Sequence, residues 1–155
     1  MNILVSACLL GVACRYDGKE GKNYGWLERY PDIHFIPVCP EQLGGLPTPR
    51  VPAERKSGSE DADVCVVTAD GRDVTKEYER GAEEALRLAK LYHCQAAILK
   101  ERSPSCGSRE IYDGSFSHTT IVGEGVTAEK LRNMGIQVYG ESEAEEMLQK
   151  YSKTI

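Results

Sequence analysis

The sequence predicts a three-layer α/β sandwich built on a mostly parallel sheet. Short apolar segments alternate with segments of helical periodicity, and this order implies βαβ units. The pair Asp70-Gly71 adds the signal of a β-hairpin inserted between two of these units. With 155 residues, 41% of them hydrophobic, we expect one small Rossmann-like or flavodoxin-like domain over residues 1–155.

Continuous apolar runs predict four buried strands. They cover residues 2–7, 34–38, 96–100 and 136–139. No G-x-G-x-x-G motif follows the first of them, so the sequence does not support dinucleotide binding.

The region between the second and third strands is predicted to be irregular at first. A loop rich in glycine and proline is expected from Cys39 to about Lys56, because its prolines disfavour regular structure. The segments Val64–Thr68 and Arg72–Thr75 then flank the turn residues Ala69-Asp70-Gly71. They are predicted to be the two arms of the inserted hairpin.

Helical spacing of apolar side chains predicts the helices. They are one turn around Trp26, a long helix from Thr75 to Tyr92, a helix from about Thr127 to Gly135 and a C-terminal helix. Thr75 is the candidate N-cap of the long helix. Ser142 and Glu145 have the spacing of a capping box at the start of the last one.

Composition excludes several classes of function. The net charge of −5 argues against a protein that coats nucleic acid, although a local basic pocket for one small anion or nucleotide is compatible with it. The longest apolar stretch, Val5–Cys14, is too short to span a bilayer. The N-terminus reads as a strand without a basic leader, so we expect a cytoplasmic protein that does not bind membranes.

Three of the six cysteines lie where α/β sheets bind ligands. Cys8 and Cys39 directly follow the first two strands, and Cys106 lies six residues beyond Lys100, in the loop after the third. Because the carboxyl ends of parallel strands meet at one edge of the sheet, the three thiols are expected to converge there. This convergence predicts a metal centre with thiolate ligands.

The remaining cysteines are interpreted differently. Cys65, in the middle of a strand, and Cys94, for which a helix face is expected, are interpreted as structural. Cys14 follows Cys8 by six residues and can reach the same site. Cys14 could be a fourth ligand, a sulfur acceptor or a packing residue, and the packing role is slightly favoured.

Thiolate ligands are typical of zinc and of iron–sulfur centres. The paired Cys-x-x-Cys motifs of structural zinc sites are absent, and widely separated cysteines suit a cluster at a sheet edge. Three protein ligands would leave one iron of a cluster open as a Lewis acid, which favours catalysis. The spacing alone does not choose between zinc and iron.

Four sequence motifs resemble those of the thiouracil desulfidase family. They are Cys8-Leu-Leu-Gly-x-x-Cys-Arg-Tyr-Asp-Gly, Val38-Cys-Pro-Glu-Gln-Leu-Gly-Gly-Leu-x-x-Pro-Arg, Ser103-Pro-Ser-Cys-Gly and Tyr112-Asp-Gly-Ser-Phe. The match runs in order from Ile3 to about Tyr139. It implies a [4Fe–4S] cluster on Cys8, Cys39 and Cys106, with zinc as the second choice.

The resemblance also implies an activity, the non-redox removal of sulfur from a small thiolated nucleobase or nucleotide such as 2- or 4-thiouracil. The substrate sulfur would bind the open iron, water would add to the ring carbon, and hydrosulfide would leave. Other functions stay open, namely a non-catalytic module that binds zinc or a cluster, and a thiol redox protein that uses Cys8 and Cys14. The absence of Cys-x-x-Cys weighs against the redox protein.

The matched motifs carry candidates for the roles that this reaction needs. Glu41, two residues after Cys39, is the first candidate for general acid/base catalysis, and Ser103 is the second. A group of polar and basic residues is expected to bind the substrate, including any oxyanion or phosphate it carries. The group comprises Ser6, Arg15, Tyr16, Arg50, Lys100 and Arg102.

Overall fold

A computed structural model describes residues 1–56 and 65–153 of the chain. Its strands are β1 (Asn2–Ser6), β2 (His34–Val38), β3 (Ala53–Lys56), β4 (Cys65–Thr68), β5 (Ala96–Leu99), β6 (Glu110–Tyr112), β7 (Thr120–Val122) and β8 (Gln137–Gly140). Its helices are α1 (Trp26–Arg29), α2 (Pro40–Leu43), α3 (Thr75–Leu91), α4 (Val126–Asn133) and α5 (Glu141–Ser152). Within these ranges no helix has the length and apolar character needed to cross a membrane.

The central sheet contains the four strands that the sequence predicts, all parallel and in the order β2-β1-β5-β8. Strand β1 lies between β2 and β5. The chain therefore places β2 on one side of β1 first and adds β5 and β8 on the other side later. In doubly wound sheets, ligands bind beyond the carboxyl ends of the strands at such a switch point. The predicted fold class is confirmed.

Helices cover both faces of this sheet, because side chains alternate along each strand. Leu4, Ala97 and Leu99 point to the face covered by α3 and α4, where they pack against Ala85 and Leu131. On the opposite face, Ile3, Val5 and Ile98 pack against side chains of α1 and α5, including Trp26 and Leu148. The result is the predicted three-layer sandwich.

The inserted hairpin pairs differently from the prediction. Strand β4 is antiparallel to β3, with Ala53 opposite Thr68. The predicted second arm forms a single bridge from Asp73 to Val67, and Val64 lies outside the described residues. The turn itself is present, since Gly71 has a φ of +87° and donates its N–H to Thr68.

The prediction of a wholly irregular segment up to Lys56 was wrong at both ends. Pro40 occupies the first position of the short helix α2, where a missing N–H costs nothing. Strand β3 begins only after Pro52, so no proline interrupts its ladder. The high proline content of the segment predicts irregular structure, but Pro40 and Pro52 lie at positions that a helix start and a strand start tolerate.

Two predicted helix caps were also wrong. Val74 is the N-cap of α3, and the Thr75 hydroxyl instead accepts the N–H of Val66 at 2.9 Å. Gly140 is the N-cap of α5, and Ser142 donates its N–H at 3.0 Å to the carboxylate of Glu101. A carboxylate from a neighbouring loop therefore takes the place of the predicted capping box.

Candidate active site

A cavity of about 540 Å³ lies beyond the carboxyl ends of β1, β2 and β5. Every candidate residue from the sequence lines it. These are Ser6, Cys8, Arg15, Tyr16, Cys39, Glu41, Arg50, Lys100, Arg102, Ser103 and Cys106. The structure therefore brings together groups from opposite ends of the chain at the switch point of the sheet.

Cys8 and Cys39 are presented by short helical turns directly after their strands. Cys8 lies within the 3₁₀ turn Ala7–Leu9 that follows β1. Cys39 is the N-cap of α2 and directly follows Val38, the last residue of β2. Both thiols are half-buried.

Cys106 is held by a hydrogen-bonded loop. The hydroxyl oxygen of Ser103 accepts the backbone N–H groups of Ser105 and Cys106, both at 3.1 Å. Ser105 is fully buried, and its hydroxyl lies 2.8 Å from that of Thr127 at the start of α4. The hydroxyls of Ser6 and Ser105 act to lower the pKa of Cys106, against the larger effect of burial.

A glycine packs against the backbone of each cysteine-bearing loop. A Cβ at Gly21 would overlap with the carbonyl of Cys8, and one at Gly125 would overlap with the backbone of Ser105 and Cys106. At Gly81, on α3, a Cβ would overlap with the carbonyl of Pro40, next to Cys39. These contacts fix the distance between each loop and its neighbouring element.

Cys14 lies in the same site, and its side chain is 2% exposed. Its carbonyl accepts hydrogen bonds from the Cys39 thiol at 3.7 Å and from the Arg50 guanidinium at 3.0 Å. Cys14 thus contacts one of the predicted ligands, Cys39, directly.

The surroundings of Cys39 and Cys106 favour the protonated thiol by raising the pKa of each. The hydrogen bond to Cys14 and burial raise the pKa of Cys39, and burial raises the pKa of Cys106 to about 12. Binding of a metal centre would displace these protons, as thiolate ligation does in general.

The donor set fits an iron–sulfur cluster. Three thiols from separate loops line one cavity, and the hydroxyls of Ser6 and Ser105 influence the pKa of Cys106. Polar groups near the sulfurs tune such clusters. In the described ranges no three His, Cys, Asp or Glu side chains lie close enough to hold a single ion. The cysteines of a four-iron cluster bind different irons, so they stand farther apart than the ligands of one zinc ion.

Glu41 is held at both carboxylate oxygens. The hydroxyl of Tyr78 donates to Oε1 at 3.2 Å, and the guanidinium of Arg50 forms an ion pair with Oε2. The side chains of Arg50 and Glu41 are 4% and 16% exposed. Burial, followed by the charge of Glu41, raises the pKa of Tyr78, which therefore stays a hydrogen-bond donor.

The other predicted cations of the cavity also have acidic partners. Lys100 forms an ion pair with Glu141, and Arg102 forms one with Glu110 at 2.9 Å. Arg15 lies 3.9 Å from Asp17. The hydroxyl of Ser6 accepts the backbone N–H of Lys100 at 2.9 Å, which joins the ends of β1 and β5 at the switch point.

Sequence reasoning missed several residues of the cavity. They are Glu54, Tyr78, Tyr112, Phe116 and His118. The motif that begins at Tyr112 carries part of the family resemblance, but nothing in its residues alone indicates a role. Tyr78 gave no signal beyond helical periodicity, since its hydroxyl reaches Glu41 across 37 positions of sequence.

Comparisons with known proteins agree with this architecture. The 2-thiouracil desulfurase family model matches residues 3–143. The uncharacterized protein YbbK of Bacillus subtilis strain 168 is 44% identical over 151 residues, which cover 94% of this chain and 99% of YbbK. The solved structure of the [4Fe–4S]-dependent thiouracil desulfidase TudS matches with a TM-score of 0.86 and 47% identity, over 97% of each chain. The chain belongs to the 2-thiouracil desulfurase family.

Proposed function

We propose that this protein is an enzyme that removes sulfur from a thiolated pyrimidine and depends on a [4Fe–4S] cluster. The substrate is 2- or 4-thiouracil or a related thionucleobase or nucleotide, and the products are the oxo base and sulfide. One observation carries the proposal. Three thiols from three strand ends line the cavity, which also contains Glu41, bound at its two carboxylate oxygens by Tyr78 and Arg50. The likeness to TudS, a [4Fe–4S]-dependent thiouracil desulfidase, supports it.

Cys8, Cys39 and Cys106 would hold the cluster. They come from three loops that are fixed by Gly21, Gly81 and Gly125. When bound, the cluster supplies an iron without a protein ligand, which acts as a Lewis acid on the sulfur of the substrate.

Glu41 is the general acid/base of the proposed reaction. Its carboxylate takes a proton from the water whose oxygen adds to the thiocarbonyl carbon, and it returns a proton to the ring nitrogen or to the departing sulfur. One water is consumed, hydrogen sulfide is released as hydrosulfide and one proton, and no electrons are transferred. Arg50 and Tyr78 each occupy one carboxylate oxygen, and each oxygen keeps a second lone pair for this proton.

Ser103 and the polar groups of the cavity orient the substrate and the attacking water. The Ser103 oxygen already accepts two N–H groups, so its own proton is free to be donated into the cavity. Ser6, Tyr16, Arg15, Lys100 and Arg102 are the proposed substrate-binding residues, together with Arg50, which also positions Glu41.

Anaerobic reconstitution with iron and sulfide tests this function directly. The loaded protein should be brown and should release sulfide from thiolated bases, nucleosides or nucleotides, with the oxo compound formed in equal amount. Colourless protein with stoichiometric zinc and no sulfide release would instead indicate a non-catalytic zinc module. Cluster-loaded protein that released no sulfide from any of these compounds would contradict the proposed reaction.

A further inference from the structure

The motif Tyr112-Asp-Gly-Ser-Phe116 begins the connection between β6 and β7, and this connection lines the cavity. Tyr112, Phe116 and His118 all contribute to the lining. Tyr112 and His118 contact each other edge to face, with ring centroids 5.9 Å apart. Three aromatic rings thus lie on the same loop at one side of the site.

The backbone of this loop adopts a conformation that needs support. Phe116 and His118 have φ values of +57° and +60°, a region that residues other than glycine seldom adopt. Local hydrogen bonds hold part of the loop, since Asp113 accepts the N–H and the hydroxyl of Ser115. Strained conformations of this kind persist where the surroundings enforce them and are concentrated at ligand sites.

Glu54, on strand β3, supplies the main support. Its Oε1 accepts the N–H of Gly114 at 3.0 Å and the N–H of Phe116 at 3.1 Å. The residue is only 8% exposed, and no described cation forms an ion pair with it. A buried carboxylate is unfavourable unless it is hydrogen-bonded, so its place here is explained by the two loop N–H groups that it binds.

We infer that the 112–118 loop is the wall against which the planar ring of the substrate stacks. Phe116 is the specificity-determining residue, and Glu54 is the positioning residue that presents it. This inference rests on the proposed function, which makes the ligand a pyrimidine. Aromatic side chains bind the faces of nucleobases in general, and a saturated ring offers no such face.

Binding of two matched ligands tests this stacking. Uracil and 5,6-dihydrouracil carry the same imide edge, but only uracil has an aromatic face. Calorimetry on the cluster-loaded protein should show tighter binding of uracil. We expect Phe116→Leu to weaken uracil binding about tenfold, while dihydrouracil binding changes little. Phe116→Tyr, which keeps an aromatic ring, should retain the preference for uracil.

Glu54 is tested with the same two ligands. Glu54→Ala should lower the ratio of the two affinities as Phe116→Leu does, and Glu54→Gln should retain most of it, because an amide oxygen still accepts both N–H groups. A merely structural defect would weaken both ligands alike. Val122→Ala, on the same hairpin but 95% exposed and outside the cavity, is the matched control.

The outcomes separate this inference from the proposed function. In one outcome, wild-type protein releases sulfide from 2-thiouracil while Phe116→Leu and Glu54→Ala leave the ratio of uracil to dihydrouracil affinity unchanged. That result would contradict stacking on the 112–118 loop and leave the proposed function intact. If wild-type protein releases no sulfide from any thiolated pyrimidine, the function is wrong. A lowered ratio in both variants with unchanged visible absorbance supports the inference.

Discussion

The hydroxyl of Tyr78, on helix α3, donates a hydrogen bond to Oε1 of Glu41 at 3.2 Å. Glu41 lies on the short helix α2, and the two helices approach closely because Gly44 and Gly81 have no side chains to separate their backbones. Arg50 holds the other oxygen of the same carboxylate. The carboxylate is therefore oriented from two directions before any substrate arrives.

Removal of the Tyr78 hydroxyl should reduce turnover without affecting the cluster. We expect Tyr78→Phe to lower kcat about tenfold, since a hydrogen bond to a charged group contributes about 1.5–3 kcal/mol. Tyr30→Phe is the matched control, because the Tyr30 hydroxyl also donates to a glutamate, Glu145, but lies outside the cavity. Steady-state sulfide release measures both, and an equal loss in the two variants would contradict a specific role of Tyr78.

Replacement of the proposed acid/base should separate cluster binding from catalysis. Glu41→Gln keeps one oxygen that accepts from Arg50 and turns its NH2 to the Tyr78 hydroxyl, whose oxygen can accept a hydrogen bond. The site should therefore fold and load its cluster with unchanged visible absorbance. Sulfide release should fall at least about hundredfold, the typical contribution of a general acid/base. Glu129→Gln, which loses only the ion pair with Arg55, should remain active. Full activity of Glu41→Gln would show that another group moves the proton.

The three predicted ligands should be individually essential for the cluster. Cys8→Ser, Cys39→Ser and Cys106→Ser should each lose the visible absorbance and most of the iron and inorganic sulfide. Cys65→Ser should retain them, because Cys65 begins β4 and does not line the cavity. The measurement is iron and sulfide content per chain after anaerobic reconstitution. A full cluster in any of the first three variants would remove that cysteine from the ligand set.

Close packing at Gly125 predicts that an alanine there destabilises the protein much more than an alanine at Gly123. Gly125→Ala should lower the free energy of unfolding by about 1–3 kcal/mol and reduce cluster content, because its Cβ would push on the backbone at Cys106. Gly123→Ala should change the free energy by less than about 0.5 kcal/mol, since its Cβ would meet only the Ile111 side chain at 3.4 Å. Urea unfolding under anaerobic conditions compares them, and equal effects would contradict the proposed packing.

Cys94 provides a pH-dependent test of burial. Burial in the core raises the pKa of Cys94 to about 11, so its thiol should ionise later than a free cysteine. Its alkylation rate in the native protein should keep rising about tenfold per pH unit beyond pH 9 and level off near 11. Peptide mapping by mass spectrometry measures this rate. A plateau below pH 9 would show that Cys94 is exposed in solution.

Local sequence signals determined the sheet and the positions of the proposed ligands. Apolar runs between glycine- and proline-rich segments depend only on neighbouring residues, and they located all four parallel strands. Because all strands of a parallel sheet end at the same edge, the residues that follow each strand lie together at that edge. For this reason the sequence places Cys8, Cys39 and Cys106 at one site, whereas the choice of Glu41 rests on the motif resemblance.

The caps and the hairpin show where local signals fail. Ser142 and Glu145 have capping-box spacing, yet Glu101 reaches the end of α5 from another loop, and Glu145 instead binds Arg29 and Tyr30. Likewise β4 finds its main partner in β3 rather than across the adjacent Asp-Gly turn. In both cases a tertiary contact outweighs a weak local preference.

The sequence by itself therefore determined the fold class and the cysteine-lined edge, because both follow from short-range periodicity and from the geometry of parallel sheets. Only the tertiary structure decided what surrounds that edge. Tyr78 reaches Glu41 across 37 positions, and Glu54 reaches Gly114 across 60. Such contacts are set by the packing of helices and strands on the sheet, and no pattern within either segment encodes them.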